Sequence, residues 1–180
     1  MKRTWVFVLA TVLCGAIAWS SEHPSPYVGE KGRAIKALSD EEVRGYLSGD
    51  GMGFAKVAEL NHYPGPRHVL DLADRLQVSD DQRRTTQAIF EKMKAETMNL
   101  GKELVEKERL LDSRFAGGTI SDPELKQLVL EIAAIQGKLR TTHLQAHLAQ
   151  RDLLTLDQIK HYDALRGYRG SATPGQHGGH

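Results

Sequence analysis

Two histidines, His143 and His147, stand four residues apart and could hold a metal ion together. Side chains at this spacing share one face of a helix. Imidazole nitrogen is a suitable ligand for zinc, nickel, cobalt and copper. Because two ligands do not complete a coordination sphere, the others must come from Glu59, His62 or His68, or from a second subunit. The alternative is that His143 and His147 are ordinary residues of a helix surface.

The sequence offers no comparable pattern for catalysis. Carboxylates are plentiful, but none stands with a nucleophile and a base in a recognisable arrangement. Neither a phosphate-binding loop nor a dinucleotide-binding glycine pattern is present. Lys and Arg total 24 against 23 Asp and Glu, a balance that gives no basis for nucleic-acid binding. We therefore predict a protein that is not an enzyme and does not bind nucleic acid.

The first twenty residues have the organisation of a secretory signal peptide. Two basic residues precede an apolar run, and Ser20 suits cleavage. The run is about 14 residues long, shorter than the roughly 20 that span a bilayer. We therefore expect residues 1–20 to be removed on export to the periplasm, together with Cys14, the only cysteine. An uncleaved anchor and a lipoprotein attached at Cys14 are the alternatives.

The first of two long helices is predicted to begin at Ser79-Asp80-Asp81-Gln82. This is a capping box, in which the Ser79 hydroxyl accepts from the backbone and Gln82 reaches back. No proline interrupts the chain from there to Phe115, and Gly117-Gly118 then ends the helix. Its apolar residues recur in steps of eleven, as Ile89, Leu100 and Leu111 in one series and Met93, Leu104 and Phe115 in the other.

The second long helix is predicted to begin at Ser121-Asp122-Pro123-Glu124, with another capping box. Its apolar and small residues alternate by three and four, as Leu125, Leu128, Ile132, Ile135, Leu139, Thr142, Ala146 and Ala149. This pattern is typical of a seam against a neighbouring helix. Because the connection is short, we expect a long antiparallel helical hairpin.

Short helices are predicted to flank this hairpin. Capping boxes open one helix at Ser39 and another at Thr155, where Gln158 is the partner. Two further short helices are expected, at 54–60 and from Pro66 to near Leu76. No strand pattern appears, so the predicted fold class is all-α, with a domain at 39–168. We expect residues 21–38 to be a flexible lead and residues 169–180 to be a disordered tail rich in Gly and His.

A two-helix hairpin buries only one stripe of each helix, so other apolar side chains need a cover. Val105, Leu110, Leu144 and Leu148 lie off the predicted seams. We expect them either to pack in a homodimer or to remain open as a concave strip that binds client proteins.

The segments that flank the hairpin resemble a known pair of motifs. Leu76-Gln77-Val78-Ser79-Asp80-Asp81-Gln82 and Leu153-Leu154-Thr155-Leu156-Asp157-Gln158 look like the paired LTxxQ motifs of the Spy/CpxP family of periplasmic proteins. The second matches in full, and the first has Val78 and Ser79 where the family has Leu and Thr. The resemblance covers about Val69 to Gly167. It implies a cradle-shaped all-α dimer that acts in envelope stress.

Two functions follow from this resemblance. The first is ATP-independent chaperone-like or stress-modulating activity, which requires no cofactor and has unfolded periplasmic proteins as partners. The second is heavy-metal sensing or buffering, because a branch of the family carries a His followed four residues later by a ligand just before the second motif. His143 and His147 match that spacing. The partner would then be a membrane-bound regulator, and the ion Zn, Ni, Co or Cu.

Overall fold

A computed structural model of the chain describes residues 24–168, in which the regular structure is helical apart from an isolated bridge between Ile35 and Leu38. The α-helices are α1 (Asp40–Ser48), α2 (Lys56–Glu59), α3 (Pro66–Asp71), α4 (Asp80–Ala116), α5 (Asp122–Leu153) and α6 (Leu156–Leu165), and a 3₁₀ turn spans Val28–Glu30. The all-α prediction is therefore confirmed for this range. Within the described range, residues 24–31 and residues 32–168 belong to separate compact units.

Two sequence predictions concern segments beyond this range. The signal peptide, residues 1–20, and the tail, residues 169–180, both lie outside the described residues. Within residues 24–168, the helices lack the combination of length and apolar character needed to cross a membrane.

The two long helices, α4 and α5, pack against each other along the middle of the predicted seam. The prediction is wrong at Phe115 of α4 and Ala149 of α5, which are exposed. Leu104 of α4 and Ile132, Ile135 and Leu139 of α5 form a buried cluster, with Leu100 and Leu111 against it. Polar contacts join the same two helices. Two are hydrogen bonds between uncharged donors and their acceptors: Gln150 Nε2 donates to Thr86 Oγ1 (3.1 Å), and Thr142 Oγ1 donates to Glu96 Oε1 (3.1 Å). Two are ion pairs: Lys107 Nζ with Glu131 Oε2 (2.6 Å) and Arg114 Nε with Glu124 Oε1 (2.8 Å). Shorter helices flank this pair.

Three of the four predicted capping boxes are confirmed, at Ser39, Ser79 and Thr155. In each, the hydroxyl accepts from the backbone N–H three residues on, and that residue's side chain accepts from the cap's own N–H. The prediction is wrong in part at Ser121, whose hydroxyl accepts from the Glu124 N–H without the return bond. The Glu124 carboxylate is engaged instead by Arg114 of α4.

The capping glutamines of α4 and α6 are also bonded to each other. Gln82 Nε2 donates to Gln158 Oε1 (2.9 Å), and Gln158 Nε2 donates to Gln82 Oε1 (3.0 Å). Gln82 Nε2 also reaches the Leu153 carbonyl oxygen at the end of α5, at 3.0 Å. The two motifs therefore meet in space, where each glutamine caps its own helix and holds the other.

Residues before α1 cover part of α4, which corrects two predictions. Ile35 and Leu38 are buried in a cluster with Val105, so residues 32–38 are a packed segment and the flexible-lead prediction is wrong there. Val105 is only 2% exposed beneath them, so its assignment as an open client contact is also wrong. Residues 32–38 have no helical periodicity, so the sequence did not indicate that Ile35 and Leu38 would pack on α4.

Helix α1 crosses α4 where the long helix has its only glycine, Gly101. A Cβ atom at Gly101 would lie 2.0 Å from the carbonyl oxygen of Tyr46 on α1. Close backbone approach of this kind excludes any larger side chain. Gly101 therefore fixes where α1 rests.

Gly101→Ala should destabilise the fold by about 1 to 3 kcal/mol, because the added methyl group overpacks this contact. Gly137→Ala is the matched control on α5, since its Cβ would meet nothing within 4 Å. Alanine is favoured over glycine inside a helix by about 1 kcal/mol, so the control should stabilise. Urea unfolding measures both, and effects of the same sign would contradict the close approach of α1 to α4.

Candidate functional site

His143 and His147 lie on α5 and are buried, at 3% and 8% exposure. The alternative that they are surface residues is therefore wrong. They are covered by the chain that joins α1 to α3, which includes α2. A Cβ atom at Gly65 would lie 2.9 Å from Cε1 and 3.1 Å from Nε2 of His147. Glycine at this position lets the backbone rest directly on the imidazole.

The ring of His147 is oriented by the backbone. Its Nδ1 lies 2.8 Å from the carbonyl oxygen of Tyr63, which can only accept a hydrogen bond, so Nδ1 carries the proton. The same nitrogen lies 3.8 Å from Glu59 Oε2. In the neutral ring this tautomer leaves Nε2 with a free lone pair, the form that ligates metals.

His143 has a similar arrangement one helical turn earlier. Its ring stacks on Phe54, with centroids 5.8 Å apart. Burial lowers the pKa of His143, the nearby His147 lowers it further, and a backbone hydrogen bond with Asp50 opposes the shift. Its Nε2 is buried without a hydrogen-bond partner among the described residues. Burial therefore favours the neutral form of His143.

Both rings line a cavity of about 170 Å³, which His68 of α3 also lines. Burial lowers the pKa of His68, with Arg166 and Arg67 acting in the same direction against Glu59 and Asp71. Its Nδ1 lies 3.7 Å from the Asp71 carboxylate. Three of the five predicted metal ligands thus border one small chamber.

His62 and one oxygen of Glu59 have other partners, whereas Glu59 Oε2 is buried without a hydrogen-bond partner among the described residues. Glu59 Oε1 accepts hydrogen bonds from the hydroxyls of Tyr162 and Tyr168, and Arg166 Nε lies 3.3 Å away. Burial, together with the Glu59 hydrogen bond, raises the pKa of Tyr162. His62 Nδ1 lies 2.8 Å from Asp163 Oδ2 on α6. Within residues 24–168, no three His, Cys, Asp or Glu side chains are placed together so as to hold a metal ion.

A second feature lies between α2 and α5, and we call it the apolar groove. Its two adjoining parts, about 500 and 310 Å³ in volume, share Val57 and Asn61 in their linings. The apolar side chains that line it are Met52, Phe54, Val57, Ala58, Leu60, Tyr63, Leu144 and Leu148. Several are strongly exposed, with Val57 at 50%, Leu60 at 54% and Leu148 at 52%.

The apolar groove contains two of the four predicted client contacts, Leu144 and Leu148. Leu110 is 36% exposed on α4 and lines neither part of the groove. Val57 and Leu60, which the sequence interpretation did not select, form the opposite wall. Helix α2 is four residues long, too short for an apolar period to reveal its exposed face.

Comparison of the chain with protein-family models, with curated proteins and with solved structures finds no match.

Proposed function

We propose that this chain is a periplasmic, ATP-independent chaperone-like or envelope-stress-modulating protein of the Spy/CpxP type. The observation that carries this proposal is the apolar groove, in which exposed side chains of α2 face Leu144 and Leu148 of α5. Contiguous apolar surface on a folded protein is typical of a binding site for other proteins. Its partner would be an unfolded segment whose apolar side chains are shielded from water while they lie in the groove.

The proposed architecture is an antiparallel hairpin of α4 and α5, two copies of which form a cradle-like homodimer. The order of the contacts supports the hairpin, because Arg114 near the end of α4 meets Glu124 at the start of α5, whereas Thr86 near the start of α4 meets Gln150 near the end of α5. Exposed apolar side chains on α5, such as Leu130 at 71% exposure, support a second copy as a cover.

The mature chain, from residue 21 onward, should suppress aggregation of a chemically unfolded model protein without ATP. Leu144→Ser/Leu148→Ser should reduce this suppression about fivefold or more, because each buried apolar side chain contributes about 1.5 to 3 kcal/mol at full burial. Light scattering measures the aggregation of the unfolded protein in each case. Leu156→Ser is the matched control, since Leu156 is 71% exposed and lines no part of the groove. Equal suppression by all three proteins would contradict the proposal.

Metal sensing or buffering is the second candidate, favoured by the buried and unpartnered Nε2 of His143 beside His147 and His68. The imidazole nitrogens of His143 and His147 could supply the first ligands of a Zn, Ni, Co or Cu ion. Further ligands would have to come from a rearranged Glu59 or His62, or from a second subunit. A membrane-bound regulator would then bind the metal-loaded protein.

Calorimetric titration of the metal-free chain from residue 21 to 168 with each of the four ions tests this candidate. The truncation omits the tail histidines, and micromolar or tighter binding is the expected result. His143→Gln/His147→Gln should abolish that binding, whereas His161→Gln, an exposed histidine of α6, should keep it. Far-ultraviolet circular dichroism must match among the proteins. No binding by the parent chain would exclude the metal candidate.

A further inference from the structure

The charged side chains that line the apolar groove are both cationic. Lys56 and Arg140 line it, and no Asp or Glu is among its lining residues. Both cations are exposed, and within residues 24–168 neither forms an ion pair with a carboxylate. This end of the groove is therefore electropositive and lacks a neutralising partner from the helical unit.

A third cation stands at the other end. The guanidinium of Arg151 lies over the ring of Tyr63, 4.6 Å from its centroid, and Tyr63 lines the groove. Arg151 Nε is buried without a hydrogen-bond partner among the described residues. Glu59 is the carboxylate nearest in sequence to this wall. Its Oε1 is engaged by two tyrosines and Arg166, and its Oε2 lies 3.8 Å from His147 Nδ1. Within residues 24–168, Arg151 forms no ion pair with a carboxylate.

The spacing of the cations matches a short extended peptide. Arg140 and Arg151 are both on α5, about three turns or roughly 16 Å apart at 1.5 Å per residue. An extended chain covers that distance in about five residues, at about 3.3 Å each. Leu144 and Leu148 lie between the two arginines along the same helix. A segment lying along α5 would therefore meet a cation, apolar side chains and a second cation in turn.

We propose that the apolar groove selects extended segments in which about four apolar residues stand between two carboxylates. The carboxylates would pair with Arg140 and Lys56 at one end and with Arg151 at the other. This inference rests on the proposed function, because it names the kind of client that the groove takes. Charge supplies the selection and the apolar wall supplies the contact area, since exposed ion pairs alone contribute little.

The test uses two fluorescent peptides that share four central apolar residues and differ at their ends, with one glutamate or one lysine at each end. Fluorescence anisotropy with the mature full-length chain at low ionic strength should give about tenfold tighter binding of the glutamate peptide. Raising the salt to 0.5 M should reduce the preference, because surface charges are screened. Lys56→Glu/Arg140→Glu should remove or invert it, whereas Lys102→Glu, an exposed site on α4 outside the groove, should leave it unchanged.

The possible outcomes distinguish failure of the proposed charge selection from failure of the proposed chaperone-like function. Equal affinity for the two peptides, weakened alike by Leu144→Ser/Leu148→Ser, would overturn the charge selection and leave the groove as a general apolar site. A preference that survives Lys56→Glu/Arg140→Glu would overturn the assignment of these cations. Binding of neither peptide would overturn both this inference and the proposed function.

Discussion

A pair of long helices can bury only one stripe of each helix against the other, and this constraint shapes the rest of the protein. The seam of α4 and α5 leaves apolar and histidine side chains on other faces without a cover. Residues 32–38, α1 and the chain from Asp50 to Pro66 supply that cover. Where it fits closely, as at Gly65 over His147 and Gly101 under Tyr46, it buries polar and backbone groups. Where it stops, it leaves the apolar groove.

The two glutamines that cap α4 and α6 join the starts of these helices to the end of α5. An isolated cap stabilises only its own helix, typically by about 1 kcal/mol. Here Gln82 and Gln158 each donate to the other, and Gln82 also binds the end of α5. Three helix ends are thereby fixed together. Beside them Val69, Leu76, Leu154, Ile159 and Tyr162 form a separate buried cluster, so the motif residues organise a second core.

The sequence predicted what depends on local chemistry and periodicity. The capping boxes at Ser79 and Thr155 and the seam residues of α5 were recoverable because each involves contacts within one helix or one repeating pattern. The burial of His143 and His147 was not, because their cover is an aperiodic segment with unusual backbone, including positive φ at Met52 and His62. The burial of Val105 was not predictable either, because Ile35 and Leu38, which cover it, lie far away in sequence.

The histidine chamber and the apolar groove share one cover. Phe54 stacks on His143 and also lines the groove, so whatever moves this side chain affects both. The metal and chaperone candidates therefore concern two neighbouring sites rather than two interpretations of one.

The most direct test of the central claim is site-specific photo-crosslinking to an unfolded client protein. A photoreactive phenylalanine analogue at position 148 would sit in the groove, and the same analogue at position 115 would sit near the end of α4 outside it, where Phe115 is 57% exposed. We expect crosslinks to the client from position 148 that far exceed those from position 115. Equal yields, or crosslinks from position 115 alone, would contradict this.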